Sequence, residues 1–312
     1  MDNSDTKLAG HTPVSSASTI VETAEQPGNT GADPGIATAA GDVENVAGYV
    51  LAPAVTGTEA AETDDLAGLP DIAWASYGAP SVPTEERIFG TDDRVQVTAT
   101  ANYPWRANAS LLITAADNSR WIGTGWFLGP HTLGTAGHVV FIKNSGVPGR
   151  DGWVRSIQVI PGRNGSNQPF GSIVVSGNAF RSVTGWTVNG DQNFDYGAIV
   201  LPNDTLGNRT GWFGFGAYND ATLLAATADI SGYPGDKPAG TQWFHASRVA
   251  SVNERKVFYQ ADTMGGQSGS AVYRIVDGQR MAFGIHAYGG ATANSATRIN
   301  TSVFGNLLAW RA

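Results

Sequence analysis

The chain has 312 residues, 41% hydrophobic and 10% aromatic, enough apolar material to bury a full core. Its 40 glycines and 15 prolines interrupt short apolar runs, a texture of many turns between strands, and the lack of cysteine excludes disulfides and thiolate metal sites. The net charge of −8 is uneven: residues 1–86 hold 14 Asp and Glu against one Lys, a net of −13, and residues 87–312 carry +5.

The positive charges of the larger part are interspersed with acids and form no basic run, which argues against nucleic acid as a partner. No apolar stretch reaches the ~18 residues that a membrane-spanning helix needs. The opening MDNSDTKLAG has neither a basic nor an apolar leader region, so no ordinary signal peptide is visible.

Residues 1–86 are rich in Ala, Gly, Thr, Ser, Pro and acid and poor in Leu, Ile and Phe. Such a segment buries little against the entropy of ordering, and it is expected to be mostly disordered. Its apolar islands at 47–55 and 72–77 suit docking onto the body as an inhibitory pro-segment; the alternative is a solvated tail with no such role. From about Val95 the texture changes. WIGTGWFLG, TLGTAGHVVF, GSIVVSG and GAIVL, each bounded by Gly, Asn, Asp or Pro, read as short strands of an all-β barrel or sandwich. The end is different again: Asn300 or Thr301 caps a short helix with Val303, Leu307 and Leu308 on one face.

Three segments carry candidate chemistry. His138 ends the apolar run Leu133-Gly134-Thr135-Ala136-Gly137, where small neighbours leave room for an imidazole to face another side chain closely, as a general base must. Asp195 heads the buried-looking run Tyr196-Gly197-Ala198-Ile199-Val200-Leu201. A carboxylate there needs hydrogen bonds, which an imidazole N–H can supply, although a turn or strand-start role is equally open to aspartate; Asp191 is its neighbour in a loop. Ser268 lies in Gly265-Gly266-Gln267-Ser268-Gly269-Ser270, whose glycines permit an exposed hydroxyl and main-chain N–H groups of Gly266 and Ser268 aimed at a developing oxyanion. His11, His131 and His245 have no assigned role. Loop carboxylates Asp92, Asp93 and Asp220 are of the kind that binds calcium, but their spacing is uninformative and no metal site is expected.

The order His, Asp, Ser is that of chymotrypsin-type enzymes and differs from that of subtilisins and α/β-hydrolases. With FGTDDR, TAGH, FDYGAIVL, DTMGGQSGS and GIHAYGG, residues 87–312 resemble the glutamyl endopeptidase family of bacterial chymotrypsin-fold proteases. The resemblance implies two antiparallel six-stranded β-barrels, about 87–205 and 206–298, followed by a helix over about 300–311 and preceded by the acidic segment 1–86. It implies hydrolysis of polypeptide substrates by His138, Asp195 and Ser268, without a cofactor, by a monomer acting outside the cell. His286 and Thr263 would contact an acidic side chain before the scissile bond. Asp262 points the other way, because an acid at this place before the nucleophile gives trypsin-like enzymes their preference for Arg and Lys. A catalytically inactive double-barrel scaffold is the third reading.

The family alignment also implies a zymogen opened between Glu86 and Arg87, with cleavage between Arg87 and Ile88 as the competing site. Gln267 stands where animal trypsins have the Asp that pairs with a new N-terminus, so that ion pair is not expected; in the family the new amino group is thought to assist the specificity pocket. Ala271 stands where a proline is common after such loops.

Overall fold

The computed structural model describes residues 10–17, 42–51, 68–77 and 87–311. Two curved, almost wholly antiparallel sheets carry the fold. In the first, the neighbours run Pro13–Ser15, Phe180–Val183, Gly197–Val200, Thr132–Thr135, Arg120–Phe127, Asn108–Thr114, Ser156–Pro161 and Ile173–Ser176. The central strands are buried on both faces, which is why Asn108–Thr114 and Thr132–Thr135 read as continuous apolar or small runs without alternation.

The second sheet closes on itself. Thr227–Gly232, Gln242–Val252, Lys256–Tyr259, Asn294–Arg298, Gln279–Tyr288 and Ala271–Val276 pair in that order, and the last pairs back to the first. That is a six-stranded barrel, as expected, with Gly214–Tyr218 added in parallel to Gln279–Tyr288. The C-terminal helix, Thr301–Arg311, is capped by Asn300, whose Oδ1 accepts from Val303 N at 3.0 Å. It buries Val303, Phe304, Leu307 and Trp310, while Leu308 is only half-buried.

Pieces of the first 86 residues add to both sheets. Pro13–Ser15 pairs with Phe180–Val183, and Asp42–Val46 pairs with Gly214–Tyr218, so each covers an edge that would otherwise be open. With these additions the sheets have eight and nine strands, against the six expected of each. The third piece lies between the barrels: Ile72 N donates to Ile122 O and Ile122 N to Pro70 O, both at 3.0 Å, and Ile72 is fully buried. It continues into the short helix Ala73–Tyr77, where Ser76 Oγ accepts from Lys143 N. Burying an isoleucine is worth ~2–3 kcal/mol, which with the main-chain bonds to Ile122 offsets part of the entropy of ordering this segment.

Candidate active site

His138 sits in the one-turn helix Gly137–Val140, immediately after the strand Thr132–Thr135. Its main-chain N–H donates to Asp195 Oδ1 at 2.8 Å, and its Nδ1 lies 2.7 Å from Asp195 Oδ2. This two-point contact fixes the ring and directs Nε2 away from the carboxylate. It also explains the glycine before the histidine, because a Cβ on Gly137 would stand 2.8 Å from Asp195 Oδ1 and 2.9 Å from the Trp186 ring.

Asp195 links the turn Gln192–Phe194 to the strand Gly197–Val200 and is fully buried. Burial by itself raises its pKa, but the His138 charge and the hydrogen bonds from His138 and Tyr288 outweigh it and hold the carboxyl below its ordinary range. Tyr288 donates its hydroxyl to Oδ2, and Thr297 Oγ1 donates to the Asp195 carbonyl at 3.0 Å. Asp191, the other acid near this strand, instead caps its own turn through Asn193 N at 2.9 Å.

The serine loop is clamped from the first barrel by Thr124. Its N–H donates to Ser268 O at 2.9 Å and its hydroxyl to Gly266 O at 2.8 Å. Gly266 at φ +102° and Gly269 at φ +92° occupy backbone that other residues rarely adopt, so these two glycines are required by the turn. The Gly265 carbonyl accepts from Gly235 N at 2.7 Å and the Gln267 carbonyl from Ser270 N at 3.0 Å. In trans peptides the following N–H groups, those of Gly266 and Ser268, therefore point the opposite way.

Behind the loop, Gly269 N donates to His286 O and His286 N to Ser270 O, at 2.7 and 2.9 Å, tying the strand Gln279–Tyr288 to the Ser268 segment. His286 is fully buried, and its Nδ1 lies 2.5 Å from the Tyr259 hydroxyl. Thr263, also fully buried, follows Ala261 and Asp262 in the chain, and its N–H donates to Arg87 O at 3.2 Å. Arg87 is held further by Asn294, whose Oδ1 accepts from Arg87 N at 2.9 Å and whose Nδ2 donates to Arg87 O at 2.8 Å. Ile88 follows, half-buried; Glu86 lies outside the described residues.

Asp262 does not face the same way as Thr263. Its Oδ1 accepts from Phe89 N at 2.7 Å, its Oδ2 from Asp93 N at 3.0 Å, and its own N–H donates to His245 Nδ1 at 2.8 Å. Asp93, His245 and Asp262 form the only group among the described residues whose ligand atoms, within 4.8 Å of one another, could hold a metal. Both Asp262 oxygens are already accepting main-chain protons there. Asp92 and Asp220 are engaged in ion pairs, Asp92 with Arg94 at 2.8 Å and Lys237 at 2.7 Å, and Asp220 with Arg298 at 2.6 Å.

The structure joins His138 to Asp195 by two hydrogen bonds, ties the Ser268 loop to the strand that carries His286, and turns Asp262 toward the segment that starts at Arg87. Thr124, Tyr259, Tyr288 and Asn294 hold these residues through the hydrogen bonds above, and none of the four is assigned a role from the sequence, although Tyr288 lies within GIHAYGG.

No family model matches the chain. Among curated proteins it is 39% identical over 267 residues to the glutamyl endopeptidase of Bacillus licheniformis, covering 83% of this chain and 78% of that one. It is 40% identical over 225 residues to a Bacillus subtilis protein named extracellular metalloprotease, covering 72% of this chain and 69% of that one. Among solved structures, a Glu endopeptidase superposes with a TM-score of 0.62 at 26% identity, over 72% of this chain and 99% of that one. The protease Anisep of Arthrobacter nicotinovorans, at 15% identity and a TM-score of 0.54, shares the fold over 73% of this chain and 98% of its own.

Proposed function

This chain belongs to the glutamyl endopeptidase family of chymotrypsin-fold serine proteases, and on that premise we propose that it hydrolyses polypeptides after Glu, or less readily Asp, through His138, Asp195 and Ser268. Ser268 Oγ attacks the scissile carbonyl while His138 Nε2 takes its proton and then passes it to the leaving amine. Asp195 keeps the imidazole in the tautomer that presents Nε2 and stabilises the imidazolium. The Gly266 and Ser268 N–H groups receive the oxyanion, and one such donor is worth about a hundredfold or more in rate. Water then releases the acyl group by the same path in reverse. No cofactor enters this chemistry.

The observation that carries the Glu preference is the double engagement of Asp262. A carboxylate that accepts from Phe89 N and Asp93 N is held toward the N-terminal turn, which argues against a trypsin-like preference for Arg or Lys. His286, held by Tyr259, and Thr263 then line the pocket with donors, and an acidic side chain satisfies them with charge-assisted bonds. Cleavage between Glu86 and Arg87 would free an α-amino group beside Asn294 and Thr263, where its charge adds to the same preference. Cleavage between Arg87 and Ile88 would discard those contacts.

The pieces of residues 1–86 that dock on the body support a zymogen, with the segment 68–77 as its intramolecular inhibitor. Asp71 is buried against the serine loop: a Cβ on Gly265 would meet Asp71 Cβ at 2.9 Å. Ser268 and His138 are both fully buried in this form. Action outside the cell, as a monomer, completes the proposal. None of the described helices is long and apolar enough to cross a membrane.

The test is hydrolysis, by the processed chain, of a peptide series differing only in the residue before the scissile bond. Glu is expected to exceed Gln by about a hundredfold or more in kcat/KM, since Gln lacks the charge and turns an NH2 group toward a donor that the second carboxylate oxygen would satisfy. A preference for Lys would contradict the pocket assignment.

A further inference from the structure

We infer that Tyr288 and Lys256 form a second-barrel latch on the triad carboxylate, making Tyr288 a positioning residue that sets both the orientation and the basicity of the Asp195–His138 pair. This rests on the triad reading above. Asp195 has two carboxylate oxygens and three donors: His138 N on Oδ1, and His138 Nδ1 and the Tyr288 hydroxyl on Oδ2. The two His138 donors come from the first barrel, so Tyr288 is the only one of the three that binds the carboxylate to the second. Its position follows from an irregularity in the register between His286 and Tyr288 against Asn294–Arg298. A bulge re-aims the side chains around it, here allowing His286 and Tyr288 to serve the pocket and the triad respectively.

Lys256 has no other evident reason to be buried. It is 7% exposed, its Nζ lies 4.5 Å from the centroid of the Tyr288 ring, and Nζ donates to Gln192 O at 2.6 Å. Gln192 is in the turn that leads into Asp195. One ammonium thus grips the turn before the acid and lies against the face of the phenol that holds the acid. A cation on the ring face is attracted to the ring and withdraws electron density from it, which makes the phenol a stronger donor. Burial outweighs the charges of Asp195 and Asp191, which raise the Lys256 pKa, and lowers it to about 8. The charged and titratable groups around Asp195 are therefore His138 from the first barrel, Tyr288 and Lys256 from the second, and Asp191 from the preceding loop, with Asp71 of the segment 68–77 beyond the serine loop.

Removing the Tyr288 hydroxyl leaves more negative charge on Asp195 to stabilise the His138 imidazolium, so the histidine should lose its proton at a higher pH. The experiment is the pH profile of kcat/KM for Tyr288→Phe and Lys256→Met, made as full-length chains and allowed to process, with Asp195→Asn as the reference for the triad. In Tyr288→Phe, kcat is expected to fall roughly tenfold with KM within about twofold, and the acidic limb to move up by about half a pH unit. Lys256→Met should move the limb in the same direction. Loss of packing alone would lower kcat or thermal stability without moving the limb, so an unmoved acidic limb in Tyr288→Phe overturns the inference whatever happens to kcat. Should Lys256→Met fail to fold, Tyr288→Phe, which keeps the ring, decides alone. Retention of near-full activity in Asp195→Asn would instead overturn the triad reading.

Discussion

The main-chain N–H of Phe89 donates to Asp262 Oδ1 at 2.7 Å, joining residues 173 apart in sequence and turning an acid that resembles a trypsin-like specificity group into a structural acceptor. Two consequences follow for substitution. Asp262→Ala leaves the N–H groups of Phe89 and Asp93 without their buried acceptor, at a cost of about 2–4 kcal/mol, and is expected to lower Tm by several degrees. The preference for Glu over Lys is expected to survive. An unchanged Tm together with a shift in preference would assign Asp262 to the pocket after all.

The segment 68–77 makes its own prediction. In a Glu86→Gln chain, which the enzyme cannot open at that bond, hydrolysis of a small Glu-amide substrate is expected to be almost absent. Adding Ile72→Asp places a charge where the isoleucine is fully buried and should release the segment from Ile122, raising hydrolysis by about tenfold or more. Equal rates with and without Ile72→Asp would mean that the segment does not block the cleft.

Gly137 offers a test of spacing. Gly137→Ala puts a methyl 2.8 Å from Asp195 Oδ1, so either the one-turn helix or the carboxylate must move. A displacement of this order at the base is expected to cost about a hundredfold in kcat, with KM nearly unchanged. Near-normal kcat would show that the His138–Asp195 contact tolerates a shift that the mechanism does not allow.

Asp229, in the strand Thr227–Gly232, titrates unfavourably. Burial raises its pKa to about 6, and Arg280 only partly offsets this. A folded-state pKa above the unfolded value favours the fold at pH below about 4, and that advantage is lost as pH rises through about 6. Asp229→Asn is therefore expected to raise Tm at pH 8 and to leave it unchanged at pH 4, as measured by thermal unfolding at both values. A gain at pH 4 alone would reverse the sign.

How much of this was legible in the sequence depended on range. His138, Asp195 and Ser268 each sit in a local motif of small residues, and those motifs in that order carry the family resemblance that implied the fold class. The partners that hold them are not local. Tyr288 reaches Asp195 across 93 residues, Tyr259 reaches His286 across 27, and Asn294 reaches Arg87 across 207. No periodicity announces such contacts. The first 86 residues show the converse, since composition measures what a segment can bury by itself. Pro13–Ser15 and Asp42–Val46 instead pair main chain with sheets that already exist, and Ile72 enters a core built by others.

The central claim is that Ser268 is the nucleophile and His138 its base. Its most direct test is reaction of the processed chain with a fluorophosphonate, followed by peptide mapping. One adduct is expected, on Ser268, formed in step with loss of activity and absent in His138→Ala. An adduct on another serine, or full inactivation with Ser268 unmodified, would contradict the account.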